Sequence, residues 1–172
     1  GLYEKYECKN NKYKLPKHPS TLMESSLLAA IPVHIDQEQI LKCANTKLSC
    51  IQIETIGLII SKYDNYYQDY QYGKTRCGFY LGDGTGCGKG RVISGVINEL
   101  KLTNNIQKAV WFSVSQDLEK DSQRDLSDIS CNMNTMNILN KTYKESGVMF
   151  STYNTIVKQK RYCDLCNWLG DD

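Results

Sequence analysis

The chain has 172 residues, a formal net charge of +2, and 41% hydrophobic against 23% charged residues. That length suits one domain with a real core, and the near-neutral balance gives no overall electrostatic footprint for nucleic acid, leaving only a local basic groove open. No stretch approaches the ~18–20 apolar residues of a membrane span. There is no secretory signal and the first residue is Gly1 rather than Met, so a piece of a longer intracellular polypeptide with no membrane partner is expected.

Residues 1–16 are polar and rich in Tyr, Lys and Asn, and read as an extended or poorly ordered lead-in to a domain over 17–172. Pro16, Pro19 and Pro32 discourage long helices, leaving room for a short one over Thr21–Ala30. Leu48–Lys62 repeats Ile51, Ile56, Ile59 and Ile60 at helical spacing despite Gly57. In Tyr63–Tyr72, Tyr63, Tyr66, Tyr67, Tyr70 and Tyr72 stand among Asp, Asn and Gln. Such aromatics can stack on bases, but a polar connecting segment with partly packed tyrosines is the simpler reading.

The most informative segment follows. The apolar run Gly78-Phe79-Tyr80-Leu81 predicts a strand, and residues 82–91 read Gly-Asp-Gly-Thr-Gly-Cys-Gly-Lys-Gly-Arg. Val92, Ile93, Val96, Ile97 and Leu100 then share a helical face. Strand, glycine-rich turn, lysine and helix together wrap a phosphate chain. Glycines let successive N–H groups point into one hollow, the helix N-terminus adds partial positive charge, and Lys89 reaches the distal phosphates. The competing reading is a glycine-rich connection with a solvated lysine; four glycines at alternate positions, with Lys89 directly after Gly88, favour nucleotide binding. Two departures stand out. Asp83 occupies the first position of the loop, and Gly90 stands where Ser or Thr ordinarily gives magnesium a hydroxyl ligand.

Beyond the loop, Ala109–Val114 reads as a buried strand, Gln116–Ile129 as a mostly solvated helix anchored by Leu118, Leu126 and Ile129, and Thr135–Leu139 and Val148–Ser151 as short strands. A helical stretch runs from Tyr153 toward Trp168. Alternating strands and helices predict an α/β fold with a mostly parallel sheet and its ligand at the strands' C-terminal ends. Other chemistries find less support. Eight cysteines contain only one CxxC pair, Cys163–Cys166, with no second pair or histidine to complete a zinc site, so free thiols and no protein-held metal are expected. His18 and His34 lie near prolines, with no spacing suggestive of a triad, and Asp171-Asp172 has no apolar strand before it.

Taken together, these segments resemble the N-terminal ATPase domain of the strawberry notch family, helicase-like proteins of superfamily two. The resemblance rests on His18–Ser26, on Leu48–Glu54 (similar to a glutamine motif), on Gly82–Arg91 with its Gly-Arg ending, on Ala109–Leu118 with Arg124-Asp125-Leu126, and on Gly147–Tyr153. It covers about residue 17 to the end. It implies a RecA-like P-loop NTPase domain, incomplete at its C-terminus, with ATP as cofactor. By position it implies Gln52 near adenine, the loop residues Asp83, Gly84, Thr85, Gly86, Cys87, Gly88 and Gly90 around the phosphates, and Lys89 as the catalytic residue on their distal oxygens. Ser113, Ser115, Gln116, Thr152 and Tyr153 fall where related helicases touch DNA or RNA. The resemblance further implies nuclear location and transcription-related protein partners. In the family an Asp-Glu-Cys-His-type motif follows the segment resembling Trp168–Asp172. This chain stops before it, so magnesium binding is expected only with that acidic motif and the isolated chain is expected to be inactive. The alternative is a non-hydrolysing nucleotide-binding or protein-interaction scaffold.

Overall fold

The computed structural model describes residues 3–7, 16–25, 41–45 and 47–170. At its centre lies a parallel three-stranded sheet in the order β5-β7-β6, formed by Lys108–Ser113, Gly147–Thr152 and Thr135–Asn137. The register runs from Lys108↔Gly147 to Ser113↔Thr152 on one side of β7, and Thr135↔Val148 to Asn137↔Phe150 on the other. All six residues of β7 are buried, as befits the middle strand of a parallel sheet. Ile138 N–H still donates to Phe150 O at 3.0 Å, so pairing runs one residue past β6 toward the expected limit at Leu139.

Three helices build the layer that matters for function. Helix α1 (Cys50–Tyr63) begins after Ser49, whose N–H donates to Oε1 of Gln52 at 2.9 Å, the glutamine half of a capping box. It buries Cys50, Ile53, Ile56 and Gly57 along one face. Helix α2 (Lys89–Asn104) follows the glycine loop and ends at Asn105 in the left-handed region. Its buried positions Val92, Gly95 and Ile97 face α1 and the core. Helix α3 (Leu118–Asp128) contributes Leu126, which joins Leu48, Ile53, Ile56, Val92, Ile129 and Val148 in the larger apolar cluster. A buried carboxylate ties in the preceding chain: Cys43 N–H donates to Glu99 at 2.8 Å, while burial pushes the Cys43 thiol well above its ordinary range.

Helix α4 (Tyr153–Ile156) and helix α5 (Gln159–Leu169) divide the stretch expected to run unbroken from Tyr153. Lys158 is extended (ψ 121°), which interrupts the helical ladder between them. Leu165 and Trp168 of α5 then pack with Met136, Ile138 and Met149, and the indole N–H donates to Lys144 O at 2.7 Å.

Several expectations need correction. Gly78–Leu81 forms no strand: residues 77–84 join no ladder among the described residues. A strand is defined by its pairing neighbour, and no described strand pairs with this segment. The tyrosine segment is not a plain connection. It closes α1 and then forms the antiparallel hairpin of β3 (Tyr66–Asp69) and β4 (Gly73–Arg76). Tyrosine favours strands, and Asp69 Oδ1 accepts from the N–H groups of Gln71 and Tyr72, both at 2.8 Å, to fix the turn. Arg76 lies over the Tyr63 and Tyr66 rings at 4.1 and 4.7 Å. In the helix expected over Thr21–Ala30, Met23–Ser25 is instead β2, paired antiparallel with β1 (Tyr3–Lys5); residues 26–30 lie outside the described residues, as do His34 and Asp171-Asp172. β1 likewise gives the lead-in an ordered part. Seven described cysteines are free.

The α1–α2 contact yields a test. A Cβ on Gly95 would lie 2.3 Å from Ile56 Cδ1, and Ile56 is fully buried. Gly95→Ala should overpack the interface by about 1–3 kcal/mol, less roughly 1 kcal/mol regained from helix propensity. Ile56→Val removes the obstructing methyl at a cost of about 0.5–1.5 kcal/mol. The double variant should be more stable than the sum of the two predicts, by about 1 kcal/mol in urea denaturation; additive effects would mean that the helices do not meet here.

Candidate functional site

The site begins with what the glycines permit. Gly86 (φ 85°) and Gly88 (φ 77°) both occupy the left-handed region, so the chain between Gly82 and Lys89 winds back on itself before α2 starts. A Cβ added to Gly84 or Gly86 would meet nothing within 4 Å, so the space beside these two residues is open. Gly88 is constrained twice. Besides its backbone angle, a Cβ there would lie 2.3 Å from Gln52 Nε2. That same amide nitrogen donates to Gly88 O at 3.4 Å. Gln52 is buried, its oxygen holding the start of α1 and its nitrogen the start of α2.

Lys89, the first residue of α2, curls back over the loop. Its Nζ donates to the carbonyls of Asp83 at 2.8 Å and Gly84 at 2.9 Å. The cation therefore sits within the turn formed by the glycines and close to the positive end of a 16-residue helix. Thr85 is exposed and Cys87 half-buried on the loop's rim. The structure thus brings Gln52, Asp83, Gly84, Gly88 and Lys89 into one connected arrangement.

At Gly90, the residue after Lys89, the space a side chain would take is already filled. A Cβ there would lie 2.0 Å from Asp125 Oδ2, a side chain that reaches across from α3. The Asp125 side chain is only 15% exposed. Burial pushes its carboxyl above the ordinary range, with Arg124 pulling the other way. One helical turn along α3, Asp128 pairs with Arg91 at 2.9 Å, so α3 grips both residues that follow Lys89. Sequence reasoning used Asp125 only as a point of resemblance. Its link to Gly90 is a contact across 35 positions that no local pattern encodes.

The positions expected to meet nucleic acid are less uniform. Ser113 and Thr152 are brought side by side at the C-terminal ends of β5 and β7. Thr152 is buried, however, and its hydroxyl caps α4 by accepting from Thr155 N–H at 3.2 Å. Gln116 donates to Glu119 at 3.0 Å, and Glu119 also accepts from Asn137. Ser115 Oγ accepts from Asp117 N–H at 3.4 Å. Tyr153 is 55% exposed and stacks on Phe112 with ring centroids 6.2 Å apart. The free surface at this end is therefore aromatic, while most of the named polar groups are engaged internally. Among the described residues no helix is long and apolar enough to cross a membrane.

Comparison with known proteins agrees with this geometry. The family model for the P-loop containing NTP hydrolase pore-1 matches residues 17–172. Protein strawberry notch of Drosophila melanogaster is 34% identical over 181 residues, covering 91% of this chain and 11% of the relative. Strawberry notch homolog 2 of Homo sapiens is 34% identical over 94% of this chain and 12% of its own length. Protein FORGETTER 1 of Arabidopsis thaliana is 34% identical over 91% of this chain and 13% of its own. The chain thus spans about a tenth to an eighth of the curated relatives it matches. No solved structure matches it. With an α/β architecture, a P-loop and these relatives, the chain belongs to the P-loop containing NTP hydrolase pore-1 family and, within it, to the strawberry notch proteins.

Proposed function

We propose that this chain is the ATP-binding lobe of a helicase-type ATPase, with the nucleotide's phosphates on residues 83–90. The observation that carries the reading is the seat of Lys89. Its ammonium rests on two loop carbonyls at a helix N-terminus, where the backbone N–H groups of a glycine turn are also available to an anion. Phosphate oxygens would give Lys89 charged partners in place of neutral ones, strengthening each hydrogen bond. Lys89 is the residue assigned to the distal phosphates. Gln52 is assigned to adenine recognition and, through Gly88, links base and phosphate ends of the site. Ser113 and Tyr153 lie at the sheet end assigned to DNA or RNA, where the exposed Phe112–Tyr153 pair offers a face for stacking. A nuclear role in transcription, with protein partners of that kind, is part of the same proposal and rests on family membership alone.

Lys89→Ala should weaken ATP binding by about tenfold or more, because a charge-assisted contact worth ~1.5–3 kcal/mol is lost. Calorimetric titration of the folded variant is the check, and equal affinities would remove the loop from the assignment.

Base preference supplies a separate test. A glutamine amide both donates and accepts, matching the adjacent donor and acceptor of adenine's edge, so ATP should bind in preference to GTP or CTP. Competition against a labelled ATP measures this. Displacement by GTP as effective as by ATP would leave Gln52 with only its two structural bonds.

A further inference from the structure

The loop as it stands lacks an oxygen where P-loop sites ordinarily place one. Magnesium requires near-octahedral oxygen ligands and in nucleotide sites is shared between phosphates and one or two protein oxygens. Gly90 has none to give. Among the described residues no group of three or more His, Cys, Asp or Glu side chains forms a metal site by itself, so any magnesium here is one the nucleotide helps to hold. The volume that a side chain at position 90 would fill contains Asp125 Oδ2, 2.0 Å from the Cβ position. A carboxylate oxygen is a harder and more strongly charged ligand than a hydroxyl. The donor set therefore fits the ion.

We propose that Asp125 takes over the role of the hydroxyl missing at Gly90, supplying from α3 the protein oxygen that holds magnesium against the nucleotide phosphates. This deepens the ATP-binding reading and rests on it. Two further considerations support it. Asp125 is mostly buried, yet its oxygens are unequally used: Oδ1 meets Arg124 at 3.5 Å, while Oδ2, the one against Gly90, accepts no hydrogen bond from any described residue. Charge imposes the second. A carboxylate beside the first turn of α2 repels incoming phosphates, so a bound nucleotide needs a cation between them. Gly90 is then required, because any side chain there would displace the carboxylate.

The simpler role for Asp125 is an acidic group stabilising the N-terminal end of α2. In that role it would affect stability without coupling magnesium to ATP, and binding measurements separate the two. ATP affinity of the 172-residue chain is measured by calorimetry in magnesium and in EDTA, with circular dichroism to establish folding. Against the expectation that magnesium binds only with the acidic motif, it should raise the affinity of the native chain by about tenfold or more, a step of ~1.4 kcal/mol. In Asp125→Asn the gain should fall below about threefold, and affinity in EDTA should rise above that of the native chain as the repulsion is removed. The double variant Gly90→Ser with Asp125→Ala restores a hydroxyl and vacates the space for it, and should recover the magnesium gain. A folded Asp125→Asn that keeps the native gain overturns the proposal. If Asp125→Asn fails to fold, the double variant decides: recovery supports the role, and a folded double variant without the gain overturns it. A native chain that binds no ATP in either buffer overturns the phosphate-loop reading, and this inference with it. ATP binding with a magnesium gain insensitive to Asp125 overturns this inference alone.

Discussion

The arrangement depends on how closely other elements approach helix α2. Gly88 at its cap, and Gly90 and Gly95 within it, each leave room for one particular atom: Gln52 Nε2 from α1, Asp125 Oδ2 from α3, and Ile56 Cδ1 from α1. A Cβ at any of the three would lie at 2.0–2.3 Å from that atom, well inside contact distance. Glycine is costly within a helix, by roughly 1 kcal/mol relative to alanine. The helix accepts that cost at Gly90 and Gly95 because the absent side chains let α1 and α3 close on it. The apolar contact at Gly95 fixes the depth of packing. The polar contacts at Gly88 and Gly90 fix what surrounds the helix N-terminus. A loop that holds a phosphate needs that N-terminus to be stationary, and here it is clasped from two sides.

This arrangement explains why some parts were legible in the sequence and others were not. The loop was readable because its chemistry is local: glycines at alternate positions, a lysine, and an apolar helix face all fall within about twenty residues. Helices α1, α2 and α3 were readable for the same reason, from periodic apolar positions. Gly78–Leu81 misled because an apolar run specifies a preference for extended chain but not the neighbour that makes it a strand. The tyrosine hairpin was hidden because its polar residues resemble a linker, and only the turn at Asp69 decides otherwise. The role of Thr152 depends on whether a helix starts right after β7, since a threonine there spends its hydroxyl on the cap. Gly90 was visible as a departure, but its contact with Asp125, on another helix, was not.

Charge is distributed with the same economy. Around the start of α2 stand Lys89, Arg91 and Arg124 against Asp125 and Asp128, and each cation has a defined partner. Arg91 and Arg124 are bound to carboxylates of α3, so neither is at liberty to reach into the loop without breaking an ion pair. These pairs are partly exposed, and as such contribute little to stability, typically under about 1 kcal/mol each. Their effect is positional. They leave Lys89 as the one cation in this group whose partners are neutral carbonyls.

That difference bears on what binding costs. Two carbonyl oxygens hold the Lys89 ammonium in place without neutralising it, so the side chain is already within the loop and little rotamer entropy remains to be lost. In the proposed site, exchanging those carbonyls for phosphate oxygens would swap neutral acceptors for charged ones. The freed carbonyls of Asp83 and Gly84 lie on the exposed loop and can turn to water, so the exchange leaves no buried acceptor unpaired. The loop is therefore organised in advance by its own lysine.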